Sequence, residues 1–346
     1  HHLKDMGQAH MARRASTLAT IESLDAWKRR QAEVRRVFEA VVGPFPERTP
    51  LNARVTGQLQ RPGYRIEKIL FESMPGFRIT GALFLPDRRS AQAPGILFCS
   101  GHSTSGFRAA HYQQVILNLV RKGFVVFAFD PIGQGERVQY FDADTGKSHI
   151  GGATKEHSYA GNQCFIAGRS VVRYFIWDGL RALDYLASRP EVDAERLACH
   201  GNSGGGAQTA YIAAFDERVK VAAVSGYLTN FKWILRSLGV QDGEQNFYQG
   251  WAHGLDLPDL VQVRAPRPML MMVTTRDFFP IRGAREAFAE SQRVYDAYGR
   301  SGHLQKVEDD GPHGYTRKTR ETLYGFLQEH LALPGDPREE DIPLLT

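Results

Sequence analysis

Cysteine is scarce in this chain. Its 346 residues hold three, Cys99, Cys164 and Cys199. An odd number at wide spacing excludes a disulfide framework and matches no paired-cysteine zinc motif. Cys99 and Cys199 lie in apolar, strand-like runs and read as buried thiols. Long hydrophobic runs are missing too, so no segment is expected to span a membrane. No secretory leader is visible at the start. The residues from His1 to His10, ahead of Met11, read as the tail of an expression tag. A native leader would then be out of sight, and a cytoplasmic location is the expectation. A strong charge of one sign is also lacking: 43 Lys and Arg face 38 Asp and Glu, a net charge of +5. The densest basic cluster, Lys28-Arg29-Arg30 with Arg35-Arg36, lies along a helical stretch and reads as a solvated face. Neither nucleic acid nor a membrane is expected as a partner.

Glycine is plentiful, and its placement carries the most information. The stretch Arg-Leu-Ala-Cys-His-Gly-Asn-Ser-Gly-Gly-Gly at 196–206 ends an apolar run in the pentapeptide Gly201-Asn202-Ser203-Gly204-Gly205. A helix-forming stretch follows. A strand that turns abruptly into a helix thrusts one side chain out at the apex, and the flanking glycines avoid the collision a Cβ would cause. Ser203 is therefore a candidate nucleophile. The competing reading is a glycine-rich turn that packs a strand on a helix.

The rest of the chain gives that turn a setting. Apolar residues from Ile21 to Val41 recur at three- and four-residue spacing, which predicts an amphipathic helix over 19–42, stopped by Gly43-Pro44. Strands are expected over 54–60, 64–71 and 77–85, separated by Arg61-Pro62-Gly63 and Met74-Pro75-Gly76 and antiparallel to one another. From residue 95 the pattern alternates, with strands at 95–99, 124–129, 197–200, 219–224, 269–273 and 304–308. Helices are expected at 111–122, 170–187, 205–215, 282–298 and 315–331. Alternation of this kind implies a mostly parallel, doubly wound sheet covered on both faces. Two stretches interrupt it, about 131–169 and 226–264, and read as insertions near the strand ends where pockets are built. The predicted organisation is a tag-like, unstructured segment over 1–18 and a helical segment over 19–50. One α/β domain with antiparallel N-terminal strands covers 51–333, and a tail covers 334–346.

A serine nucleophile needs a base, and the base needs an orienting carboxylate. After a nucleophile elbow these come in the order Ser, Asp or Glu, His at later strand ends. Asp277, in Thr-Thr-Arg-Asp-Phe-Phe-Pro, and His313, in Gly-Pro-His-Gly, fit that order. Asp277 could instead cap the following helix, and His313 could be a surface turn residue. Glu244, Asp309 and Asp310 are rival carboxylates; His253 and His303 are rival bases, the latter at the wrong edge of the sheet. The oxyanion of an acyl-transfer intermediate needs backbone donors. Gly204, after the nucleophile, is one, and His102, in the loop Ser100-Gly101-His102-Ser103, is the expected second.

On these residues the chain resembles the α/β-hydrolase superfamily, and within it the acetyl xylan esterase-like group related to prolyl oligopeptidase. Three further segments carry the resemblance. They are Asp130-Pro131-Ile132-Gly133-Gln134-Gly135-Glu136-Arg137, Trp177-Asp178-Gly179 through Leu186 with Arg189-Pro190-Glu191-Val192-Asp193, and Arg264-Ala265-Pro266-Arg267-Pro268. The resemblance spans about residues 50–332. It implies an ester hydrolase without metal or cofactor, with Ser203 as nucleophile, Asp277 as acid and His313 as base. Relatives usually have His-Gly where this chain has Ser100-Gly101, so the bracing of that loop is expected to differ.

The expected reaction is a Ser-His-Asp acyl transfer from a short-chain ester of a small molecule or carbohydrate. His102, Tyr227, Trp233, Trp251, Phe278 and Phe279 are the expected substrate-binding residues, while Trp177 reads as core. The sequence leaves the oligomeric state open. It also leaves two other readings open: a peptidase or amidase lacking a propeller, and a non-catalytic binding protein of the same fold.

Overall fold

The computed structural model describes residues 2–88, 90–237 and 241–345. Two helices lead, α1 (His2–Ala19) and α2 (Leu24–Val42). Ser23 caps α2, its side chain accepting the Ala26 N–H, as expected of a serine at a helix start. Three strands follow, β1 (Arg54–Arg61), β2 (Tyr64–Met74) and β3 (Phe77–Pro86), paired antiparallel in chain order. Then come β4 (Ala93–Cys99), α3 (Ala110–Arg121) and β5 (Val125–Phe129). The first insertion holds a short hairpin, β6 (Phe141–Asp142) with β7 (Lys147–Ser148), and α4 (Ala153–Ile166). Beyond it lie α5 (Val172–Ala187), β8 (Val192–Asn202), α6 (Gly204–Phe215) and β9 (Val219–Ser225). The second insertion holds α7 (Phe231–Ser237) and α8 (Leu257–Gln262), and the chain ends in β10 (Met269–Arg276), α9 (Ile281–Ala297), β11 (Leu304–Pro312) and α10 (Arg317–His330).

Among the described residues nine strands form one sheet in the order β1-β2-β3-β5-β4-β8-β9-β10-β11, with β8 among its central strands. From β5 to β11 neighbouring strands are parallel. The reason is visible along β4, where Ile96 and Phe98 join one buried cluster with α3 and α10. Leu97 and Cys99 join another with α5, α6 and α9. Side chains alternate across a strand, so a strand apolar at every position must be covered on both faces. This is the mostly parallel, doubly wound α/β architecture expected from the sequence.

The N-terminal segment differs from expectation. Residues 2–19 are helical, not an unstructured tail, and the part ahead of Met11 is packed: Gln8 Nε2 donates to the Lys232 carbonyl at 3.0 Å. A Cβ added at Gly7 would meet Leu235 and Trp251. Farther along, Arg14 is buried with both guanidinium edges engaged, on Asp259 at 2.8 Å and on Glu290 at 2.8 Å. A buried carboxylate such as Asp259 is tolerable only with a partner of this kind.

Buried beneath the elbow is His200, on β8. Its Nδ1 lies 2.8 Å from the Ala223 carbonyl and so carries the ring hydrogen, while Nε2 accepts the Tyr315 hydroxyl at 2.9 Å. Burial pushes the imidazolium down to about 4, against the opposing pull of the Ala223 carbonyl. The unfolded value is about 6.5, so the unfolded chain takes up the proton first as pH falls. Stability is then complete above pH 6.5 and falls by about 3 kcal/mol on acidification to pH 4. Urea unfolding at pH 7.5 and pH 4.5 should show this loss. His200→Gln, which keeps a donor and an acceptor but does not titrate, should show a shallower one; equal slopes would remove His200 as its source.

Candidate active site

The turn between β8 and α6 is sharp. Ser203 has φ 61° and ψ −125°, a region costly for any residue with a Cβ. The surroundings fix it there. Its N–H donates to the Ser225 carbonyl at the end of β9, 2.9 Å away, and Asn202 Nδ2 donates to Ser225 Oγ at 3.0 Å. A Cβ on Gly205 would collide with the Cys99 carbonyl, so only glycine lets α6 start so close to β4.

At the ends of β10 and β11 the other two candidates meet. His313 Nδ1 lies 2.8 Å from Asp277 Oδ1, and the same oxygen accepts the Phe279 N–H at 2.9 Å. The Asp277 side chain is 3 % exposed and that of His313 is 23 % exposed. Nδ1 therefore carries the ring hydrogen, and Nε2 is left to accept a proton. Asp277 does not cap the next helix, because Pro280 occupies that position without a side-chain bond. Gly226 ties this pair to the elbow: it follows Ser225, and a Cβ there would lie 3.2 Å from His313 Cε1 and 2.9 Å from Asn202 Nδ2. Ser203, Asp277 and His313 thus follow β8, β10 and β11 at the same end of the sheet, with Gly226, after the intervening β9, between them.

The loop after β4 lies against the same turn. A Cβ on Gly101 would sit 3.0 Å from Ser203 Cβ and would collide with the Asn202 carbonyl. Gly101 brings the start of this loop beside Ser203, and Gly204 contributes one of the first N–H groups of the α6 N-terminus.

Of the expected substrate-binding residues, Phe278 and Phe279 join the site. Phe278 is half exposed, its ring 4.1 Å from that of His313, and the Phe279 ring is 6.0 Å away. Tyr227 stands behind Phe279, fully buried, its hydroxyl 2.9 Å from that of Tyr211. Trp233 and Trp251 are engaged elsewhere. Trp233 Nε1 donates to Glu286 at 2.9 Å, and Trp251 packs on Phe231 and against Gly7 of α1. Trp177 is core, as read, donating to the Ser73 carbonyl at 2.9 Å.

His102 brings in partners that the sequence did not single out together. Its Nε2 lies 2.9 Å from Glu244 Oε1, 3.1 Å from Asp242 Oδ2 and 3.2 Å from His157 Nδ1. Burial alone would lower the pKa of His102, but Glu244 and Asp242 outweigh it and hold it up at about 10. The same balance holds His157 at about 9. Burial raises the Glu244 carboxyl, yet the two histidines bring it well below the usual range. Glu244, a rival carboxylate in the sequence, pairs with these histidines, and His313 Nδ1 faces Asp277 instead.

The acetyl xylan esterase (AXE1) family model matches residues 53–249, more than half of the chain. The chain belongs to the acetyl xylan esterase family. The esterase is 24 % identical to YtaP of Bacillus subtilis (strain 168), a protein named as a hydrolase, across 87 % of this chain and 100 % of that one. Among solved structures it is similar to the methylesterase BT1017, with a TM-score of 0.73 and 21 % identity over 97 % of this chain and 72 % of that one. A glucuronoyl esterase from Solibacter usitatus follows, with a TM-score of 0.66 and 17 % identity over 89 % and 94 %. These structures share the esterase's fold. The family match ends at residue 249, ahead of Asp277 and His313. No helix among the described residues is long and apolar enough to cross a membrane.

Proposed function

We propose that this esterase removes short acyl groups, acetyl above all, from carbohydrate esters through Ser203, His313 and Asp277. The observation that carries the reading is the strained serine at the end of β8, with a His–Asp pair held at the same end of the sheet, after β10 and β11. Membership of the acetyl xylan esterase family supports the substrate class.

His313 Nε2 takes the proton of Ser203 Oγ as that oxygen attacks the ester carbonyl. The oxyanion that forms is held by the N–H groups of Gly204 and His102, aided by the dipole of α6. The carbon–alkoxy bond breaks, and the alcohol leaves with the proton from His313. Water then attacks the acyl-enzyme, giving its proton to His313, and collapse releases the carboxylic acid and restores the serine. Asp277 holds the imidazole in the required tautomer and stabilises its positive charge. Phe278, half exposed against His313, offers an apolar wall for a short acyl group.

The test is a panel that separates the acid and alcohol parts. Acetate release from an acetylated xylo-oligosaccharide should exceed methanol release from a methyl glucuronate ester at least tenfold. It should exceed cleavage of an amino-acyl anilide by a larger factor still. Faster methanol release would place the sugar on the carbonyl side of the bond and make the chain a methylesterase. Faster anilide cleavage would make the chain an amidase.

A further inference from the structure

We propose that His102, His157, Asp242 and Glu244 form a binding site for one divalent transition-metal ion of the zinc class. This inference is independent of the reading of Ser203, His313 and Asp277.

The four side chains come from three separate parts of the chain and offer donor atoms that all lie within 4.8 Å of one another. The spacings have the size a metal requires. Zinc bonds of about 2.0–2.1 Å in a tetrahedron place neighbouring donors about 3.3 Å apart. Here His102 Nε2 is 3.2 Å from His157 Nδ1, 3.1 Å from Asp242 and 2.9 Å from Glu244. His157 Nδ1 is 3.1 Å from Glu244 and 3.8 Å from Asp242.

Hydrogen bonds alone use this arrangement poorly. Each ring nitrogen has room for one hydrogen, yet each faces the other nitrogen and two carboxylates. One oxygen of Asp242, Oδ1, is buried without a hydrogen-bond partner. A cation at the centre satisfies all the donors at once, and two carboxylates with two neutral imidazoles balance its double positive charge. Mixed imidazole and carboxylate ligation favours a transition ion over calcium or magnesium, which take oxygen donors.

The surroundings are those of a built site. His157 Nε2 lies 2.7 Å from the Ile132 carbonyl, the outer bond that fixes a metal-binding imidazole with its other nitrogen inward. Gln245 Nε2 donates to Glu244 Oε1 at 3.2 Å. Backbone packing explains how the carboxylates arrive. A Cβ on Gly161 of α4 would lie 2.9 Å from Gly243 Cα, so two glycines let the second insertion press directly on the first. Asp242 and Glu244 flank that contact. His157 and Glu244 are almost fully buried, while the His102 side chain is 21 % exposed and leaves a way in. The ion would join the loop carrying His102 to both insertions, next to Gly204, where a Cβ would lie 3.0 Å from His102 Cε1.

The test uses the whole protein and the metal alone. After dialysis against a chelator, titration with Co2+ should give one equivalent bound and the intense visible absorption of a tetrahedral site. Zn2+ should displace it and raise the melting temperature. Glu244→Gln, which keeps the buried shape, and His102→Ala, at the exposed edge, should each weaken binding at least a hundredfold and lose the absorption. His1, His2 and His10 are common to all three proteins, so any metal they hold cancels. The proposal fails if the wild type shows no tetrahedral Co2+ spectrum, or if both variants bind as the wild type does. Since the readout is metal bound and not ester cleaved, its failure is separate from failure of the proposed function.

Discussion

Ser203→Gly is expected to be more stable than the wild type and to hydrolyse esters no faster than background. The two effects share one cause. At φ 61° and ψ −125° the serine pays for its place with backbone strain, of order 1–3 kcal/mol for a residue with a Cβ. Glycine adopts that conformation freely, at an entropic cost of roughly 0.5–1 kcal/mol. A net gain of about 1 kcal/mol should appear in urea unfolding. Loss of the nucleophile should lower turnover of p-nitrophenyl acetate by about 10⁴–10⁶-fold. Ser203→Ala should lose the same activity without the gain, because it keeps the Cβ. Substantial activity in either variant would end the assignment of Ser203. A glycine variant less stable than the alanine variant would show that the turn is not strained.

Asp277→Ala should lower turnover by about 10⁴-fold with little change in KM, since in the proposed mechanism it removes the group that orients His313 and stabilises its charge. Asp277→Asn should cost less. One oxygen, Oδ1, takes both the His313 and the Phe279 bonds, so an asparagine oxygen can occupy the same position and preserve the tautomer. What it loses is the negative charge. A hydrogen bond to a charged group is worth about 1.5–3 kcal/mol, which corresponds to roughly ten- to a hundredfold in rate. The order wild type, asparagine, alanine is the result to look for. An alanine variant within tenfold of wild type would exclude Asp277 from the reaction.

Much of this architecture was legible because its signals are local. The apolar runs of β4, β5 and β9 stand out at every position, since both of their faces are covered. The glycines of the elbow mark a turn that no other residue would fit. Strand ends were harder to see. β8 begins at Val192, earlier than its apolar part, and β11 runs on to Pro312. Those extensions are polar and are held by pairing, Asp193 with Pro94 and Pro312 with Arg276. Helix α1 was hidden for a related reason: one of its main anchors is a buried arginine, which in sequence looks like any solvated charge. Tyr227 and Trp251 illustrate the limit for pockets, because an aromatic in an insertion looks the same whether it faces substrate or a neighbouring helix. The group around His102 left no motif at all. Its members are far apart in the chain, brought together by the contact between Gly161 and Gly243 and by the packing of the Gly101 loop on the elbow.

The position of β10 and β11 at the C-terminal side of the sheet has a consequence for the order of synthesis. Ser203 is made long before Asp277 and His313. In the proposed mechanism a nascent chain complete only through β9 carries the nucleophile with no base to activate it, and a fragment ending there is expected to be inert rather than an unregulated esterase. Under that mechanism hydrolysis requires β10 and β11, at the edge of the sheet beyond β9, so the residues made after β9 switch the reaction on.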